Sequence, residues 1–175
     1  MNGKPKRARA GAVLLSITVL VSAAPFSAAE SGAALPIGTL LASEQAMIGN
    51  APAPAGTTVF AGDRVSSRER VLIGLENGGR IEMNGAAARL TRRDGRLVIH
   101  AGPGTVRFHI ARGEDVQVDA GNYILTAVGK TRHLGELSLN RGGRITLEVR
   151  EGAFPVLDRS TGMRAEAKPG RSLLL

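Results

Sequence analysis

Cysteine is missing altogether, and with it disulfides and thiolate metal sites. Tryptophan is also absent, and only one Tyr and four Phe occur in 175 residues. A groove for single-stranded nucleic acid, or a platform for sugar rings, normally needs aromatic faces for stacking, so the composition argues against both. No Gly-x-Ser-x-Gly turn, His-Glu-x-x-His run or phosphate-cradling glycine loop is present. Nor does any stretch after the first thirty residues carry the 3.6-residue periodicity of an amphipathic helix.

What the chain does contain begins with a leader. Lys4, Lys6, Arg7 and Arg9 precede an apolar run from Ala12 to Val21, followed by Pro25 and the small residues Ser27-Ala28-Ala29. This is the layout of a secretory signal peptide spanning residues 1–29, with cleavage expected before Glu30. The apolar run falls short of the roughly 20 residues of a spanning helix. A periplasmic or secreted location in a Gram-negative envelope is expected, with no membrane span after cleavage. The four leader cations account for half of the net charge of +8.

Residues 30–55 are expected to give an N-terminal strand near Leu35–Ala42 and a stiff connector, Asn50 to Gly56, in which Pro52 and Pro54 forbid a helix. From residue 56 to 175, short alternating or apolar runs recur about every ten residues and stop at Gly, Asn-Gly, Asp-Gly or Pro-Gly. The pattern predicts an all-β domain of many short strands, either β-solenoid-like or a twisted double sheet. Alternation pairs Leu75 with Ile81 and Ile73 with Met83, leaving Asn77-Gly78-Gly79 as a loop in which Gly79 takes positive φ. It likewise pairs Leu139 with Ile145 and Leu137 with Leu147, leaving Arg141-Gly142-Gly143, with Gly143 in the same role. Gly79-Arg80-Ile81, Gly95-Arg96-Leu97 and Gly143-Arg144-Ile145 echo one another and mark Gly79, Gly95 and Gly143 as structural turns.

No catalytic, cofactor-binding or metal-ligating set emerges. His100, His109 and His133 have no partner at a metal-binding spacing. The apolar face of Leu97, Ile99, Val106, Phe108 and Ile110 throws His100 and His109 to the opposite side, while His133 falls in a polar segment read as a loop. Glu114-Asp115 reads as a turn. Two basic groups remain as candidate interaction surfaces: Arg89, Arg92, Arg93 and Arg96, and Lys130, Arg132 and His133.

The order of these strand motifs resembles the FecR-type periplasmic domain associated with iron-dicitrate sensing. The likeness rests on Phe60-Ala61-Gly62-Asp63-Arg64-Val65, on Val71 to Ile81 with its Asn-Gly turn, and on Leu97-Val98-Ile99 followed by Gly104 to Ile110. Val149 to Val156 and Lys168 to Leu173 complete it. The Gly-Thr-x-Phe motif expected after the central strands is not evident around Ala127 to Lys130. The resemblance implies a stand-alone sensing or protein-interaction module of the cell envelope, without catalysis or cofactor, whose partner is another envelope protein. The arginine cluster offers a second reading, binding of anionic polysaccharide.

Overall fold

The computed structural model describes residues 34–175, so the leader and its cleavage point lie outside the described residues. The described chain has no helix and is built of 17 strands in two sheets. One sheet has eight strands, in the order β17 (Ser172–Leu174), β14 (Ile145–Glu151), β13 (His133–Leu139), β10 (Gly104–Ile110), β7 (Arg80–Asn84), β6 (Arg70–Leu75), β1 (Pro36–Ser43) and β4 (Thr58–Phe60). The other has nine: β16 (Arg164–Ala167), β15 (Phe154–Asp158), β12 (Tyr123–Ala127), β11 (Val116–Ala120), β9 (Arg96–Ala101), β8 (Ala87–Arg93), β5 (Arg64–Ser66), β2 (Met47–Ile48) and β3 (Ala51–Pro52).

From β5 onward the chain passes back and forth between the sheets, and each return adds a strand or a hairpin beside the last. The all-β expectation is met in its double-sheet form, and the ordered advance explains why the sequence also resembled a solenoid. Strand direction follows from the same path. A strand reverses at every connection, so two neighbours run antiparallel when an even number of strands separates them in the chain. β10 visits the eight-stranded sheet alone, and so β9 and β11, on either side of it, form a parallel pair.

Alternation directs one side of each strand between the sheets. Val71, Ile73, Leu90, Leu97, Ile99, Val106, Val118, Leu125, Leu137 and Leu147 are all buried in one core. Phe108 of β10 meets Phe154 of β15 edge-on, with ring centroids 5.1 Å apart, which shows the two inner faces in direct contact. Burying each such side chain contributes about 1.5–3 kcal/mol, so the core rather than any cross-link holds the domain together.

The second hairpin has the expected register, Leu139 opposite Ile145 and Leu137 opposite Leu147, and Gly143 has φ 83°. The first does not. Ile73 lies opposite Ile81 and Val71 opposite Met83, a displacement of two residues from the expected pairing. A two-residue displacement leaves every side chain on the same face, so alternation could not detect it. The loop is Glu76-Asn77-Gly78, and Gly78 (φ 81°) rather than Gly79 takes the left-handed conformation. Gly79 is needed for a different reason: a Cβ there would stand 2.9 Å from the carbonyl oxygen of His109. The Gly-Arg echo therefore marks the return strand of three hairpins, β6–β7, β8–β9 and β13–β14.

Three strands escaped the sequence reading. β2, β3 and β5 are two or three residues long and fall in or near the connector. Too short to show a period, they are fixed by neighbours, as where the Ala53 amide donates to the Ala46 carbonyl at 2.9 Å.

Candidate binding face

The β8–β9 hairpin turns through Asp94 (φ 53°) and Gly95 (φ 76°), with Arg93 directly opposite Arg96. Two consecutive residues at positive φ match the twist of the flanking strands, and Asp-Gly is a preferred pair for such a turn. Gly95 thus has its expected role. Along β8 the core takes Ala88 and Leu90, so Arg89, Thr91 and Arg93 face solvent; along β9 it takes Leu97 and Ile99, so Arg96 and His100 face out.

Arg92 departs from its neighbours. It shares the inward parity of Ala88 and Leu90, and its side chain is only 19% exposed. Its guanidinium lies 3.4 Å from the carboxylate of Glu114, whose side chain is 2% exposed. A second guanidinium nitrogen donates to the Gly95 carbonyl at 3.3 Å. Arg92 is therefore a structural ion-pair partner and not part of an exposed cluster. Glu114 had been read as a turn residue, and nothing in its local sequence announces burial. The contact arises because the β10–β11 connection folds over the hairpin tip.

The place of Arg92 on the outer face is filled by Arg64 of β5. In register across the nine-stranded sheet stand Arg64, Arg89, His100 and Asp119, one on each of β5, β8, β9 and β11. The imidazole Nδ1 of His100 lies 3.4 Å from Asp119 and its Nε2 lies 3.3 Å from the Thr91 hydroxyl. Arg159 also holds Asp119, at 2.7 Å. The order hydroxyl, imidazole, carboxylate is that of a nucleophilic triad, but a regular strand keeps its amides in the plane of the sheet. None of them can converge on an oxyanion above the face. What these contacts do is fix the imidazole beside Arg89. Arg64, Arg89 and His100, with Ala87 and Gly102 between them, line a shallow depression of about 370 Å³.

The outer face of the other sheet differs in its electrostatics. There Glu82 receives Arg70 and Arg107, each at 3.1 Å, and Arg107 also pairs with Glu136. The hydrogen bond from Arg70, aided by the charges of Arg70 and Arg107, holds the Glu82 carboxyl below its ordinary range. Contact with Glu136 raises Arg107 in turn. On the nine-stranded sheet, Arg64, Arg89, Arg93 and Arg96 have no ion-pair partner among the described residues. The Nε of Arg96 is even buried without a hydrogen-bond acceptor. The eight-stranded face is knit by the Glu82, Arg107 and Glu136 network, whereas four arginines of the nine-stranded sheet stand outside any ion pair among the described residues.

The second basic group does not assemble. Lys130 is exposed, but Arg132 pairs with Glu151 at 2.6 Å. His133, expected in a loop, opens β13 and is 4% exposed, with its Nδ1 3.1 Å from the Thr131 carbonyl oxygen and its ring edge-on to Phe154. The apolar alternation of β13, Leu137 and Leu139, begins only four residues later, with Gly135 at the inward position between, which hid its burial. Among the described residues no cluster of three His, Cys, Asp or Glu side chains could hold a metal ion, and no helix is long and apolar enough to cross a membrane. Comparison of the chain with family models, curated proteins and solved structures finds no match.

Proposed function

We propose that this chain is an exported, non-catalytic interaction module of the cell envelope, of FecR-like type, which docks through the outer face of its nine-stranded sheet. One observation carries the reading: arginines stand directly opposite arginines across strands, Arg64 against Arg89 and Arg93 against Arg96. Like charges so placed destabilise a sheet; on the eight-stranded sheet, by contrast, Arg107 stands between Glu82 and Glu136, although Glu136 also faces Glu148. An anionic counterpart offsets the repulsion.

Docking by strand addition is the weaker form of the proposal. The four edge strands, β3, β4, β16 and β17, are two to four residues long, and β3 contains Pro52. Short edges of this kind resist further pairing. A charged face with a shallow depression remains. The order of the FecR-like strand motifs and the signal-peptide layout support the envelope setting.

The test uses the purified chain lacking residues 1–29, sedimented with washed envelope fragments. Replacing Arg64, Arg89 and Arg93 together with Ser is expected to abolish co-sedimentation. Replacing the exposed Arg141, Arg150 and Arg171, which lie off this face, removes the same charge and is expected to leave co-sedimentation intact. Equal retention of both variants, or equal loss, overturns the proposal.

A further inference from the structure

We infer that the ligand of this face is an acidic polysaccharide, a chain bearing carboxylate groups at regular intervals, lying across the strands in the depression between Arg64, Arg89 and His100. The inference rests on the binding face proposed above and adds what that face recognises.

The geometry selects an extended, repeating anion. Arg64, Arg89 and His100 occupy one cross-strand row on three neighbouring strands, so their side chains rise from the sheet at intervals of about 4.8 Å. Beside them runs a second row, Ser66 opposite Ala87, with Gly102 bonded to the Ala87 carbonyl at 2.7 Å. Small residues make the floor, and two guanidinium groups with the His100 imidazole make one wall. A Cβ at Gly102 would come within 3.0 Å of the Ala87 oxygen, so the floor is low because backbone meets backbone there. Guanidinium groups recognise carboxylates in a two-pronged fashion; Arg64, Arg89, Arg93 and Arg96 are not already committed to an acid, and the one acid in the row, Asp119, is held by Arg159.

The surroundings argue against two other polyanions, nucleic acid and an anionic membrane. Among the described residues, Phe108 and Phe154 are buried in the core, Tyr123 packs against that core and Phe60 belongs to the other sheet, so no Phe or Tyr is offered on this face for stacking a nucleic-acid base. An anionic membrane is held by cations together with apolar anchors. The exposed large apolar side chains Leu35, Leu41, Phe60, Val128, Met163 and Leu174 include none from a strand of the nine-stranded sheet.

Polygalacturonate is the probe, measured by titration calorimetry against neutral dextran, oligo-dT and phosphatidylglycerol vesicles at low salt. Polygalacturonate alone is expected to bind, with affinity falling steeply as salt screens the row. Arg64→Ser with Arg89→Ser is expected to weaken it by roughly tenfold or more, and Arg141→Ser with Arg171→Ser to change it less than twofold. Tighter binding of oligo-dT or vesicles overturns the inference, as does an equal loss in the two variants. Failure to bind polygalacturonate while envelope co-sedimentation still depends on Arg64, Arg89 and Arg93 overturns the ligand but leaves the face standing.

Discussion

Arg92 and its three neighbours Arg89, Arg93 and Arg96 look alike in the sequence, and replacing them should separate stability from binding. Arg92→Met strands the Glu114 carboxylate, 2% exposed and with one oxygen already lacking a hydrogen-bond partner. Removing one member of a buried pair generally costs about 3–5 kcal/mol. Arg92 keeps some access to solvent and the contact is long at 3.4 Å, so the lower end, about 3 kcal/mol, is expected. Glu114→Gln leaves Arg92 free to turn outward and should cost about 1 kcal/mol. In the double variant Arg92→Met, Glu114→Met no charge is left buried, and stability should return to within about 1 kcal/mol of the parent. Urea unfolding followed by circular dichroism measures each variant against the parent, provided the slope with urea stays constant. Arg93→Ser, on the exposed side of the same hairpin, should stay within about 0.5 kcal/mol. Arg92→Met costing no more than Arg93→Ser, or the double variant proving no more stable than Arg92→Met alone, would refute the buried-pair reasoning.

Three further outcomes follow from single positions. Gly78→Ala should lower stability by about 1–2 kcal/mol through left-handed strain in otherwise open space; Gly79→Ala, facing a carbonyl 2.9 Å away, should cost at least as much, and thermal unfolding of the pair checks it. Because the folded-state Glu82 carboxyl lies below its ordinary 4.5, its stabilising contribution is complete above that pH and is lost as pH falls through the folded value. Glu82→Gln should therefore flatten the acid limb of a stability–pH curve. Burial, reinforced by the charges of Arg80 and Arg132, lowers His109 from 6.5, so the native state resists its protonation. Stability should fall as pH drops below 6.5, and His109→Gln should remove that slope without changing stability at pH 8.

Much of the fold was legible because β-strands write their burial into the chain with a period of two. The runs Val71-Leu-Ile-Gly-Leu75 and Ile145-Thr-Leu-Glu-Val149 announce both their conformation and the side that faces the core. The glycine stops announce the turns. Register was legible at Arg141-Gly142-Gly143 but not at Asn77-Gly78-Gly79; both segments carry two adjacent glycines, and alternation cannot separate registers that differ by two residues because their facing is identical. The candidate site was read less well. Arg89, Arg93 and Arg96 were visible as a cluster, but Arg64 joins them through β5, too short to show a pattern, and Arg92 leaves them through a contact with Glu114, 22 residues away.

Taken alone, the residues determined conformation and facing, since both depend on chemistry within a few positions of each side chain: apolar alternation, and glycine where the backbone must turn. Tertiary structure alone decided which sheet each strand joined, that β9 and β11 run parallel, and which cations were neutralised. Those outcomes depend on partners far along the chain, and a cation's fate is settled by the carboxylate brought to it, not by the residue next door.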